Sequence, residues 1–315
     1  MPLWFEKGES RRFQRIDLPL KLYITPKNPI RHMDIMALGI DYFPPIVKKQ
    51  LNQYQRDVEK WLPQVQEHQA DMQTVFKQLM QSADFFARWT DELAKGRAPN
   101  RDKDSWLRLH AYAKGVAHLL TPLKATPKTC QYLTMIDDKL MQYYQHFKQI
   151  IEHSTHAQFH CDRLLTQQNF DIDTVMAAFE SDKYARSPLV QSLLHLYRYI
   201  ETVLNAYDEL NLDMHSRQNP KVWATQTANI SAGGVAVFRP KRFAQGEKHL
   251  ANLYFAEQKK LVQLPAYLAR SFSIQQKHTE CNAFNFDFPS GQDQHLIQHE
   301  IERFEILDSM NVALT

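Results

Sequence analysis

The chain has 315 residues, 43% of them hydrophobic and 23% charged, with a formal net charge of +3, which is ordinary for a folded protein with one large core or two smaller ones. Acidic and basic residues are interspersed, and so small an excess of positive charge excludes the broad basic surface that a nucleic-acid polymer requires, so any anion site must be local. Cys130, Cys161 and Cys281 are odd in number and widely spaced, which fits reduced thiols, and with no apolar run long enough for a signal-peptide core or a membrane span the expected location is cytoplasmic.

The first 29 residues carry a strand pattern, since Leu18, Leu20, Leu22 and Ile24 of "DLPLKLYIT" recur with period two, as in a strand with one buried face. Nearly everything after them, to residue 218, reads as helix. Helices are predicted over about 64–95, 101–121 and 173–182. In "IDDKLMQYYQHFKQII" the residues Ile136, Leu140, Tyr143, Phe147 and Ile150 form one apolar stripe, the spacing of a helix with a single buried face. "SPLVQSLLHLYRYIETVLNAYDEL" has Ser187 as N-cap, Pro188 at the first helical position, and Leu189, Leu193, Leu196, Ile200, Val203, Tyr207 and Leu210 on one side. Short polar connections such as "KGRAPNRDKDS" predict antiparallel packing as a bundle. The aromatic residues of "YFPPIVKKQLNQYQ" and "FFARW" are assigned to its core, with Trp89 and Trp106 as candidates for a surface anchor.

From residue 219 onward the period returns to two. "KVWATQTANI", "GGVAVFRP", "ANLYFAEQ", "LVQLPAYLARSF" and "CNAFNFDF" are short and rich in β-formers, and "DQHLIQHEIERFEIL" puts Leu296, Ile297, Ile301, Phe304 and Leu307 on one helical face. A lone strand cannot bury its apolar face, so the first strand must join these five. The expected fold is α+β: a six-stranded antiparallel β-barrel with a C-terminal helix, plus an inserted all-α helical bundle. Residues 1–29 supply an arm and the first strand, 30–218 the inserted bundle, and 219–315 the rest of the barrel with its closing helix.

Two short motifs carry chemistry. "RRFQR", just before the first strand, places Arg11 and Arg15 four positions apart, and a planar guanidinium bonds phosphate oxygens or a guanine edge in bidentate fashion. "NISAGG" combines Asn229, Ser231 and Gly234, offering directional hydrogen bonds beside a main chain that can be closely approached. It holds the one adjacent glycine pair in a chain with 8 Gly. A rival is "EHSTHAQFHCD", where His153, His156 and His160 fall at steps of three and four on one helix face, with Cys161 adjacent; a converging Glu-x-x-His partner is missing, so no metal is expected. There is no Ser-His-Asp arrangement, P-loop or glycine-rich dinucleotide fingerprint, and neither an enzyme activity nor a resident cofactor is expected.

At these two motifs the sequence resembles the PilZ domain family, whose signatures are R-x-x-x-R before the first strand and (D/N)-x-S-x-x-G at the turn between the second and third. Here they read "RRFQR" and "NISAGG". The resemblance covers roughly residues 8 to 28 and 220 to 308, and a departure is the long gap between the motifs. It implies a six-stranded PilZ-type barrel that binds the bacterial second messenger cyclic di-GMP. Arg11 and Arg15 would grip phosphate and guanine, with Asn229, Ser231 and Gly234 as the opposite wall. The implied protein is a non-enzymatic receptor that passes its signal through the helical bundle to a protein partner. The alternative is a scaffold or interaction protein whose barrel does not bind the messenger. Long amphipathic helices also pack between chains, so self-association is open.

Overall fold

The computed structural model describes residues 15–161, 170–287 and 291–312. They form two compact units, Met1–Asn28 with Ser216–Thr315, and Pro29–His215.

The first unit is a closed antiparallel barrel in the order β1-β2-β3-β6-β5-β4, built from β1 (Ile16–Pro26), β2 (Thr225–Ser231), β3 (Gly234–Arg239), β4 (Lys248–Phe255), β5 (Lys260–Ile274) and β6 (Thr279–Phe286). Closure removes every sheet edge that would otherwise invite pairing with another chain. Alternation sorts side chains between lumen and outer face. Leu18, Leu20, Leu22 and Ile24 point inward with Ala228, Ile230, Val235, Leu253, Leu264 and Phe284, all buried. The junctions of β1 and β2 with the intervening chain are held together by the tilted pair of Tyr23 and Trp223, 5.7 Å apart, and by Arg217, whose guanidinium donates to Thr25 Oγ1 at 3.2 Å.

The C-terminal helix predicted from its apolar face is present, as α7 (Gly291–Val312). Ile297 and Ile301 bury its inner side, and α7 packs on β1 and β2. The β4–β5 turn pins it further: Gln258 donates to Glu300, and Arg303 pairs with both Glu257 and Glu300.

The second unit contains α1 (Pro45–Trp61), α2 (Gln69–Ala94), α3 (Lys103–Tyr112), α4 (Pro127–His153), α5 (Asp171–Phe179) and most of α6 (Pro188–Gln218). Its core is aromatic. Phe86 of α2 meets Tyr144 and Phe147 of α4 and Tyr207 of α6 at centroid distances of 5.1, 5.2 and 5.1 Å, near the separations at which ring pairs attract. The expected apolar stripes on α4 and α6 are buried, apart from Leu189 at the start of α6, which is half-buried.

Three helix boundaries differ from expectation. The helix over 64–95 starts only at Gln69, because His68 is left-handed with φ 49° and Pro63 belongs to a short 3-10 turn that separates α2 from α1. The helix over 101–121 ends at Tyr112. Gly115 turns the chain with φ 70°, and a Cβ there would lie 2.4 Å from Asp137 Oδ2, the same oxygen that accepts the Val116 N–H at 2.8 Å. Finally, α4 stops at His153 with Ser154 extended, so the three histidines do not share a helix face.

Burial has a cost in the helical unit's polar groups. Asp208 accepts a 2.6 Å hydrogen bond from Tyr143 Oη, yet burial dominates and pushes its carboxyl up from 3.8 to about 7. Asp137 rises to about 6 for the same reason. A raised carboxyl means that the folded state binds the proton more tightly than the unfolded one. The resulting stabilisation is complete below the ordinary value and is lost as pH rises through the folded value. We therefore expect stability to fall from about pH 4, up to about pH 6 for Asp137 and about pH 7 for Asp208, at up to about 1.4 kcal/mol per pH unit for each group. Urea unfolding followed by circular dichroism should show a shallower fall for Asp208→Asn, and an unchanged slope would remove Asp208 as its source.

Candidate functional site

The antiparallel register of β1 and β2 pairs Ile16 with Ile230 and Asp17 with Asn229. Ile16 and Ile230 face the lumen, so their neighbours Arg15, Asp17, Asn229 and Ser231 belong to the outer face. There the two sequence motifs meet. Arg15 Nη1 donates to Asn229 Oδ1 at 3.4 Å across 214 positions of sequence, and Asn229 Nδ2 donates to Asp17 Oδ1 at 2.8 Å. Asn229 is thus a relay, oriented by the Asp17 carboxylate and presenting its carbonyl to a guanidinium. Arg15 and Asn229 are half-buried, while Asp17 is exposed. Arg11 lies outside the described residues.

Ser231 is buried and serves the hairpin. Its hydroxyl donates to the Gly234 carbonyl and accepts the Gly233 N–H, both at 3.4 Å, across the turn formed by Ala232 and Gly233. Gly234 has a packing requirement of its own. β3 pairs with β6 so closely that a Cβ on Gly234 would lie 2.2 Å from the Phe284 carbonyl oxygen, a distance no side chain tolerates. The glycine that the sequence offered for a turn or a ligand is therefore also demanded by the approach of a neighbouring strand.

The outer face continues beyond the motif. Asn229 pairs with Ala236, Ala236 with Ala283, and Ala283 with Arg270. Ala236, Ala283 and Cys281 make a floor of short side chains, with Phe238 and Ile274 packed against it. Burial pushes the Cys281 thiol up, and the positive fields of Arg270 and Arg15 oppose that rise. Sequence inspection missed Asp17, although its place two residues after Arg15 on a strand of period two puts both on one side.

The histidines divide. His153 ends α4, and its ring lies 5.1 Å from that of His160 in the following loop, while His156 is exposed in that loop. Among the described residues no group of three or more His, Cys, Asp or Glu is arranged to hold a metal ion, and no helix is long and apolar enough to cross a membrane. Trp89 and Trp106 are both half-buried; the Trp106 ring stands edge-on to His110 at 4.9 Å.

No protein-family model matches the chain, and no curated protein sequence does. Among solved structures, the chain is similar to a tetrameric PilZ domain protein from Xanthomonas campestris that self-assembles through a helical bundle, with 22% identity, a TM-score of 0.25, and coverage of 29% of this chain and 54% of that one. It is also similar to the Bacillus subtilis inhibitor of motility, with 20% identity, a TM-score of 0.24, and coverage of 26% and 42%. The matched region spans about half the length of these structures or less.

The Gly234 contact yields a direct expectation. Gly234→Ala should destabilise the barrel by about 1–3 kcal/mol or more, the usual cost of overpacking. Gly291→Ala should be nearly neutral, because nothing lies within 4 Å of the added Cβ. Thermal unfolding of the two variants checks this, and equal melting temperatures would contradict the contact.

Proposed function

We propose that this chain is a receptor for cyclic di-GMP, without enzyme activity, in which the messenger is held between the arginine arm and the "NISAGG" strand end. The observation that supports this function is the hydrogen bond from Arg15 to Asn229. Two motifs far apart in sequence share one outer face of the barrel, and they are of the residue types that grip a phosphodiester and a purine edge. In this scheme Arg15 and Arg11 take phosphate and guanine, and the Asn229 amide supplies a directional contact. Ser231 and Gly234 set the strand end against which the ligand rests.

Asp17 fits the same scheme. Its carboxylate and the Asn229 carbonyl give the outer face a counterweight to the Arg15 guanidinium, and a dianionic ligand would compete with them for it. Binding would then exchange the Arg15 contact to Asn229 for one to phosphate. The helical unit is assigned the task of meeting a protein partner. Its open groove of about 410 Å³ between α1 and α2, lined by Val58, Leu62, Phe76 and Met80 together with Glu59, Lys77 and Asp84, is where such a partner would find mixed apolar and charged contacts.

Isothermal titration with cyclic di-GMP tests the reading. Wild-type protein should bind, and Arg15→Ala should bind roughly ten-fold to a hundred-fold more weakly, because a hydrogen bond to a charged group contributes about 1.5–3 kcal/mol. Equal affinities would remove the role given to Arg15. A wild-type protein that neither binds the messenger nor gains thermal stability from it would leave the barrel as a scaffold.

A further inference from the structure

β5 does not run in simple alternation. Its register against β6 slips between Leu268 and Arg270, so that Ala269 is an extra residue in the strand. The slip reverses parity. Leu268 pairs with Phe284, which faces the lumen, and with unbroken alternation Arg270 would face the lumen too. Instead Arg270 pairs with Ala283 and Phe272 with Cys281, both on the outer face that carries the Arg15–Asn229 bond. A bulge of this kind commonly re-aims side chains next to a functional site.

We propose that Arg270 and Phe272 form the far wall of the dinucleotide site, the guanidinium taking a phosphate oxygen or a guanine edge and the ring stacking on a base. This inference rests on the function proposed above. Asn229 and Arg270 stand in one lateral row that begins at Asp17, with Ala236 and Ala283 between them. Three strand spacings separate them, about 14 Å. Long side chains reaching inward from both ends of such a row can hold a flat ligand between them. Phe238 and Ile274 pack against the short floor residues, so a ligand on this face would meet Asn229, Arg270, Phe238 and Phe272.

Both β5 side chains are available for such a contact. Arg270 is exposed, and among the described residues no carboxylate pairs with it; its Cζ lies 5.5 Å over the ring of Phe272. Phe272 is 44% exposed. A single exposed aromatic is common. An exposed ring next to a guanidinium that no carboxylate among the described residues neutralises, turned outward by a bulge and opposite a second guanidinium, is the arrangement that stacks bases and neutralises their phosphates. Lys277, whose ammonium lies 5.8 Å over the Phe238 ring, adds positive charge to the same face.

The test titrates cyclic di-GMP into wild type, Arg15→Ala, Arg270→Ala, Phe272→Ala and Phe272→Leu, each with a thermal melt. Exposure of both β5 residues predicts melting temperatures close to wild type, and the leucine variant keeps apolar volume while removing the ring. Arg270→Ala should weaken binding about ten-fold to a hundred-fold. Both Phe272 variants should weaken it by about five-fold or more. If Arg15→Ala loses affinity while the β5 variants match wild type, the far wall is overturned and the receptor function stands. If wild type does not bind, the receptor function fails and the far wall falls with it.

Discussion

The pairing of β1 with β2 is the constraint on which the rest of the barrel unit depends. Six residues at the start of the chain, Ile16 to Lys21, lie antiparallel to Thr225 to Ile230. Without that pairing β1 has no neighbour on one side, the barrel has two open edges, and Arg15 loses its contact with Asn229. Closing so long a stretch of chain is less costly than it looks, because loop entropy grows only logarithmically, by about 0.6 kcal/mol for each doubling of length. The intervening residues are also folded, so the ends are not those of a random coil. Tyr23 against Trp223 and Arg217 on Thr25 then fasten the points where the inserted chain leaves and returns.

The same pairing decides the chemistry of the outer face. Register places Asp17 opposite Asn229, and the asparagine amide, bonded at one end to the carboxylate, turns its carbonyl to Arg15. A shift of one residue would move every one of these groups to the lumen. The barrel core enforces the register, since Leu18, Ala228 and Ile230 must remain inside. Polar contacts on the outside are therefore held in place by apolar packing on the inside. At β5 this logic runs differently, because the bulge at Ala269 lets inner and outer sets exchange sides midway along a strand.

Much of the architecture was legible in the sequence. Period-two runs marked the strands, and stripes such as Leu140, Tyr143 and Phe147 marked the buried faces of helices. The breaks were harder to see. Nothing in "PQVQEHQ" announces that His68 is left-handed, and the stop after Tyr112 depends on Asp137, a residue on another helix that receives the Val116 N–H. The histidine spacing looked helical because periodicity says nothing of where a helix ends, and the chain turns extended at Ser154. In the candidate site, Arg15, Asn229, Ser231 and Gly234 were visible as motifs. The packing demand on Gly234 was not, because it comes from Phe284, fifty positions away.

By itself the sequence determined which segments are strands and which are helices, because hydrophobic period is a local property of the chain. It also determined that its glycines and arginines sit in motifs suited to an anion. Tertiary structure alone decided which strands are neighbours, and hence that residues 15, 17 and 229 share one face. It decided too that Arg270 and Phe272 turn outward, since parity across a bulge depends on the partner strand. Strand pairing is a non-local hydrogen-bonding choice made by the whole core at once, and no single stretch of residues contains it.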